Sequence, residues 1–209
     1  MDKSVNNMIK LSKRELGEFL NEKVIEFETR DFIKDDPISI PHMFSDNKDI
    51  EIAGFLAATI AWGNRKSILK NANRLMERMD NSPYDFVMNF EKVDEKIFEG
   101  FCHRTFQPED AVYFMGALRR IVREYGSLEN LIASNWKASG SPDNVNAALS
   151  NFHAVFFDSV HADRTRKHLA NPSKGSAAKR LNMYLRWMVR SSKNGVDLGI
   201  WDKIPTRVL

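Results

Sequence analysis

The stretch DIEIAGFLAATIAWG, at residues 49–63, decides the fold that the sequence predicts. Its apolar residues surround most of a helix instead of lining one side, which is typical of a helix buried at the centre of an all-α domain. Gly63 breaks the pattern. Asn64 is a residue type that caps helices, so we expect a second helix to begin there and to carry its apolar stripe as far as Met79.

Helix signals continue on both sides of this stretch. Ser12 and Glu15 form a capping box, and five apolar residues follow at helical spacing: Leu16, Phe19, Leu20, Val24 and Phe27. Turn and capping residues predict further helix starts near Pro83, Glu95, Pro108, Ser127, Ser141 and Ala177, with Gly126 ending the helix from Pro108. We therefore predict a single all-α domain of eight to ten helices over residues 1–209.

The composition excludes several classes of protein. The single cysteine, Cys102, allows neither an internal disulfide nor a CxxC zinc site. The N-terminus has no apolar signal region and no apolar run is long enough to span a bilayer, so we expect a cytoplasmic protein. The chain contains no P-loop, GxGxxG, GxSxG or HExxH motif, and its histidines do not have ligand spacing. We expect neither a cofactor nor a metal.

Positive charge is concentrated in one window. Residues 164–193 contain nine Lys or Arg and no Asp or Glu, although the net charge of the whole chain is only +3. A solvated helix face normally mixes both signs, so the window favours a localised anionic partner. Arg186 and Arg190, four residues apart, share one face of the predicted last helix and are candidate contacts for that partner.

A tight turn lies inside this window, in NPSKGSAAKR at residues 171–180. Gly175 permits a left-handed backbone conformation, and Ser176 is predicted to cap the helix that follows. The unpaired amides and the dipole of a helix start suit a phosphate, although many helix starts bind only water. Three cations would surround the phosphate: Lys174, Lys179 and Arg180. The predicted phosphate-binding element spans about residues 168–192.

Three strings in this chain resemble the bacterial family known as domain of unknown function 2400. They are FLAATIAWGNRKSI at residues 55–68, FCHRTF at 101–106 and KHLANPSKGSAAKRLNMYLRWMVR at 167–190. The resemblance covers nearly the whole chain. It implies no activity, because the family has no established one.

A more distant resemblance connects the chain with helix-hairpin-helix DNA glycosylases of the endonuclease III type. GFLAATIAWGNRK is similar to the early buried helix of that class, and GSAAKRL is similar to its hairpin, with Gly175 and Lys179 at the matching glycine and lysine. The resemblance implies that the hairpin amides grip a DNA phosphate and that Lys179 attacks the sugar C1′ as nucleophile. It also implies that Asn64, with its neighbour Arg65, contacts DNA in place of a polar wedge residue.

The chain departs from the glycosylase pattern at three points, of which the first is Gly63, the residue that aligns with the polar wedge. Ala177 replaces the second glycine of the hairpin. The class has an Asp-x-His segment about eighteen residues after the lysine, and Asp197 stands at that distance without the histidine. Asp197 is the candidate for stabilising the sugar cation, and we expect the glycosylase-like fold to be C-terminally incomplete, with the Asp-x-His segment further on.

Two function classes follow from these observations. The first is a DNA-repair enzyme, an N-glycosylase/AP lyase that binds duplex DNA and rotates one nucleotide out of the stack. The second is a nucleic-acid-binding module that keeps the grip on phosphates and has no active site. A helical interaction protein without a nucleic-acid partner is the remaining reading.

Overall fold

The computed structural model describes residues 11–209 and is built from helices. The described part contains nine α-helices: α1 (Lys13–Phe27), α2 (Arg30–Ile33), α3 (Asn47–Ile60), α4 (Arg65–Arg78), α5 (Pro83–Asn89), α6 (Pro108–Tyr125), α7 (Leu128–Ala138), α8 (Asn146–Phe156) and α9 (Lys179–Val189). Short 3-10 segments connect them, and the described residues form no strand beyond a single bridge between His103 and Phe106. The predicted all-α class is confirmed.

Helix α3 lies at the centre of the core. Every residue from Ile50 to Ile60 is buried, and α4, α5 and α9 all pack against this helix. Gly54 lets α9 approach closely, because a Cβ there would lie 2.8 Å from the Met188 Cε and 3.4 Å from the Tyr184 ring. The prediction of a buried central helix is confirmed.

Aromatic side chains fill the space beneath α3. The Phe55 ring lies 5.6–6.1 Å, centroid to centroid, from the rings of four residues on three other helices: Phe114, Phe152, Phe156 and Tyr184. Edge-to-face and offset arrangements at such distances are favourable beyond the area that they bury. Phe55 therefore joins α3 to α6, α8 and α9.

Local capping signals located several helix ends correctly. The Asn64 side chain accepts a hydrogen bond from the Ser67 amide at the start of α4, and Ser127 caps α7 in the same way. Gly126 ends α6 with a left-handed φ of +83°. These contacts involve residues three or four apart, so neighbouring sequence determines them.

Other predicted boundaries were wrong. Helix α8 begins at Asn146 and not at Ser141, and the short helix predicted to start near Glu95 is a 3-10 segment at Lys92–Phe98. Helix α9 begins two residues later than predicted, at Lys179. Ser141 has a left-handed φ of +52°, which does not fit a right-handed helix, and the Trp136 indole donates to the Pro142 carbonyl just after it.

Helix α1 has the predicted capping box between Ser12 and Glu15, but none of its residues is buried. The five residues of its apolar stripe are each 39–54% exposed to solvent: Leu16, Phe19, Leu20, Val24 and Phe27. Helical spacing in this segment predicted the helix correctly. It did not predict burial, because that depends on whether another element covers the stripe.

Glu51 is a carboxylate buried in α3 that joins three parts of the chain. Its oxygens accept hydrogen bonds from the Leu128 and Glu129 amides at the start of α7, each at 3.1 Å, and from the Trp201 indole at 2.9 Å. Burial raises the pKa of Glu51 to about 6, although these three donors favour the ionised form. Glu129 continues the connection, because its carboxylate accepts from the Asp202 and Lys203 amides at 2.8 Å.

We expect Glu51 to make folding stability depend on pH in a defined window. The pKa in the folded chain, about 6, lies above the ordinary value of 4.5, so the folded state holds the proton more tightly. The resulting contribution, about 2 kcal/mol, is complete below pH 4.5 and is lost as the pH rises through 6. Urea unfolding between pH 4 and pH 7.5 measures the free energy of unfolding at each pH. We expect this pH-dependent component to be absent in Glu51→Gln.

The same replacement should lower the free energy of unfolding at neutral pH by about 1–3 kcal/mol, because an amide nitrogen would face buried backbone donors. Glu95→Gln, at an exposed position, is the matched control and should change neither quantity. An unchanged pH profile in Glu51→Gln would contradict this role of Glu51.

Candidate nucleic-acid interface

The Gly175 turn has the predicted backbone conformation. A 3-10 segment, Pro172–Lys174, ends at Gly175, whose φ is +77° and whose surroundings are open. The Asn171 side chain stabilises the turn by accepting from the Ser173 amide at 3.0 Å. The turn is exposed and adjoins a cavity of about 530 Å³ that also reaches the start of α8.

The prediction that Ser176 caps the last helix is wrong. The Ser176 hydroxyl accepts from the Ala178 amide at 3.2 Å, and Ala178 itself is the N-cap of α9, with a left-handed φ of +45°. Alanine has no side-chain acceptor, so the first turn of α9 receives no side-chain cap. Lys179 is exposed at the first position of this helix.

The positive charges of the window are divided between two ends of α9. Near its C-terminus, Arg186 and Arg190 lie 3.3 and 3.5 Å from the buried Asp197 carboxylate, and Arg190 also pairs with Glu28. Burial raises the pKa of Asp197, and the two arginines oppose that shift. Arg186 and Arg190 therefore stabilise the segment around Asp197, and their contact with DNA stays a prediction.

Lys179 and Asp197 are not brought together. Asp197 pairs with Arg186, which is seven residues beyond Lys179 and therefore about 10 Å further along the axis of α9. Asp197 is only 4% exposed and lies beneath the two arginines. The sequence spacing that matched a glycosylase lysine and aspartate does not produce a shared site within the described residues.

Near the N-terminal end of α9 the cations lack acidic partners. Within residues 11–209, no carboxylate oxygen lies within 4.0 Å of a side-chain nitrogen of Arg166, Lys167, Lys174 or Lys179. Burial lowers the pKa of His153, and the charges of Arg166 and Lys174 lower it further. Those two cations therefore lie close enough to act on the same histidine.

Arg180 points into the protein and away from the Gly175 turn. Its guanidinium donates a hydrogen bond to the Thr59 carbonyl near the end of α3 and lies 6.0 Å from the centre of the Trp62 ring. It lines a cavity of about 300 Å³ together with four other residues: Trp62, Thr105, Lys167 and His168. The prediction of Arg180 as a contact at the turn is corrected to a contact in this cavity, which we call the Trp62 cavity.

A second arginine covers Trp62. Arg104 has a left-handed φ of +57° in the tight turn that the His103–Phe106 bridge closes, and its guanidinium lies 4.9 Å from the centre of the Trp62 ring. A Cβ at Gly63 would lie 2.9 Å from the Arg104 Cδ. A non-glycine residue with positive φ is a strained arrangement that is concentrated at functional sites.

Two neutral histidines support the walls of the cavity. His103 contacts the Trp62 carbonyl through Nε2 at 3.1 Å and the Asn71 amide through Nδ1 at 3.0 Å. His168 Nε2 lies 3.2 Å from the buried Asp110 carboxylate. Burial lowers the pKa of both histidines, in His168 despite the nearby carboxylate. At neutral pH the positive charge of the cavity therefore comes from lysine and arginine.

Asn64 and Arg65 lie just beyond Trp62. Asn64 is exposed but its side chain is used in capping α4, and Arg65 is 3.8 Å from the Asp36 carboxylate.

Sequence reasoning missed Arg104 and Lys167 and assigned no ligand to Trp62. Trp62 and Arg104 are part of the strings AWGNRK and HRTF, but their meeting is a tertiary contact that no spacing rule reveals.

The described residues therefore define an all-α protein with an exposed cationic surface around the Gly175 turn and the Trp62 cavity. The family model described as "Protein of unknown function (DUF2400)" matches residues 36–209, and the chain belongs to this family. No curated protein and no solved structure matches the chain. No described helix is long and apolar enough to cross a membrane, and no three His, Cys, Asp or Glu residues in the described part are grouped to hold a metal ion.

We expect Gly63 to be required for the position of Arg104. Gly63→Ala should lower the free energy of unfolding by about 1–3 kcal/mol, because φ is +106° and the new methyl group would meet the Arg104 side chain. The cost should be smaller in an Arg104→Ala background, which removes the collision. A double-mutant cycle by urea unfolding measures the coupling, and equal costs in both backgrounds would contradict the contact.

Proposed function

We propose that this protein binds the phosphate backbone of nucleic acid, with duplex DNA as the first ligand to test. The observation that carries the proposal is the group of four cations without acidic partners in the described chain: Arg166, Lys167, Lys174 and Lys179. Phosphate contacts of lysine and arginine supply most of the sequence-independent affinity of DNA-binding proteins. The uncapped start of α9 and the exposed Gly175 turn add backbone donors beside these charges.

The Trp62 cavity gives this surface a place for one nucleotide. Its volume of about 300 Å³ combines an aromatic ring with the cations Lys167 and Arg180. Any unstacked base can stack on an aromatic ring or on a guanidinium plane such as those over Trp62, and neighbouring cations can bind its phosphate. The cavity is therefore consistent with a DNA-repair enzyme that rotates one nucleotide out of the duplex.

In the glycosylase/lyase form of the proposal, Lys179 is the nucleophile. After losing its proton, the Lys179 amine attacks the sugar C1′, and either the base leaves with a proton or the hydroxyl of an abasic site leaves as water. The sugar ring then opens at the C1′–O4′ bond, O4′ takes a proton, and a Schiff base remains. The exposed amine lies at the start of α9. Asp197 has no part in this step, because it is paired with Arg186 and Arg190 at the other end of the helix.

A binding module without an active site is the second candidate. The separation of Lys179 from Asp197 favours it, because the cation that develops on the sugar then has no carboxylate from Asp197 to stabilise it. Both candidates require the same grip on phosphates. A test of binding and a test of chemistry therefore separate them.

We expect duplex affinity to fall steeply with salt and to depend on Lys167. Lys167→Ala should lower the steepness of log K against log[salt] by about one unit, because one phosphate contact is lost. Fluorescence anisotropy of a labelled duplex between 50 and 300 mM NaCl measures this slope. Lys193→Ala, beyond the far end of α9, removes the same charge and should leave the slope unchanged. Salt-independent binding would contradict the proposal.

Borohydride trapping on a duplex that contains an abasic site tests the lyase. We expect a covalent adduct with the natural chain, loss of the adduct in Lys179→Ala, and its retention in Lys174→Ala, which removes a neighbouring charge without removing the nucleophile. An adduct that survives Lys179→Ala removes Lys179 as nucleophile. Binding without any adduct would support the second candidate, a binding module without an active site.

A further inference from the structure

A second cationic recess lies on α6, away from the Gly175 turn. It is a cavity of about 450 Å³ along one side of this helix, lined by Gly116, Arg119, Arg120, Arg123 and Glu124. None of these residues belongs to the strings that resemble known families. We call it the Gly116 recess.

Internal packing does not explain the glycine at the centre of the recess. Gly116 lies midway along an 18-residue helix, where glycine is less favourable than alanine. Its φ is not positive, and a Cβ built there would meet no heavy atom within 4 Å. The missing side chain therefore leaves a notch that faces solvent, where a ligand can approach the helix backbone.

Two of the three arginines are held in place by neutral acceptors. Arg119 donates to the Phe90 carbonyl, and Arg120 donates to the Val155 and Phe156 carbonyls at 2.8 and 3.0 Å. A carbonyl orients a guanidinium without cancelling its charge. The buried Nε of Arg119 has no acceptor among the described residues.

The net charge of the recess is positive. The three guanidiniums face one carboxylate, that of Glu124, and no described carboxylate oxygen lies within 4.0 Å of any of them. Arg123 is exposed at the open end of the recess. Guanidinium groups at fixed positions suit the planar, bidentate binding of phosphate oxygens.

We infer that the Gly116 recess binds a phosphate group, whose oxygens contact Arg119 and Arg123 while the bare helix surface at Gly116 leaves room for the rest. Only the source of the phosphate rests on the proposed function. If that function holds, the phosphate belongs to the DNA backbone.

Inorganic phosphate is the first probe. In NMR spectra of the ¹⁵N-labelled chain at constant ionic strength, we expect phosphate, and not chloride, to shift the Gly116 amide and the Arg119 and Arg123 Nε–H signals. Gly116→Glu places a carboxylate in the notch and should weaken this binding about tenfold or more. Asn21→Glu adds the same charge at an exposed position of α1 and should leave the binding unchanged. Absence of a specific phosphate effect overturns the inference.

A short duplex is the second probe, and it distinguishes the two sources of phosphate. Shifts of the same signals on adding a 12-base-pair duplex, reduced in Gly116→Glu, support a backbone phosphate in the recess. If inorganic phosphate binds and the duplex does not, the recess takes a free phosphorylated ligand and only the proposed function fails. Gly116→Ala fills the notch in a helix that alanine favours, so reduced phosphate binding in this variant cannot come from unfolding.

Discussion

The contact between α3 and α9 at Gly54 is the packing constraint on which the candidate site depends. Without a side chain at Gly54, Met188 and Tyr184 lie directly on the buried helix. This approach brings the start of α9 to the end of α3, so that Arg180 reaches the Thr59 carbonyl and the ring of Trp62. Two segments more than a hundred residues apart thus form one cavity because Gly54 leaves room on α3 for the side chains of α9.

The same packing divides a continuous run of positive charge into two groups with different roles. The chain folds back after α9, where the Trp187 carbonyl accepts from the Leu198 amide at 2.8 Å, and this return places Asp197 beneath Arg186 and Arg190. Their ion pairs stabilise the fold. Arg164, at the beginning of the run, pairs with Glu109 and Asp110. The other cations before and at the start of α9 meet no described carboxylate, so their charge stays on the surface.

Local signals predicted much of the fold and only part of the site. Asn64, Ser127 and Gly126 act on residues three or four positions away, so neighbouring sequence located these helix ends. Ser176 has the residue type of a cap but hydrogen-bonds the Ala178 amide, and α9 begins after Ala178. Lys179 and Asp197 match a known spacing along the chain, but the chain folds back after α9 and pairs Asp197 with Arg186 and Arg190 near the other end of that helix.

The sequence by itself determined the all-α class, the buried central helix and the excess of positive charge in residues 164–193, because helical periodicity and composition are local properties. Only the tertiary structure decided which of those charges stay unpaired, that Arg104 and Arg180 both lie over Trp62, and that the stripe of α1 is exposed. Each of these depends on which surfaces meet when helices pack, and that choice is made by the shape of the whole core.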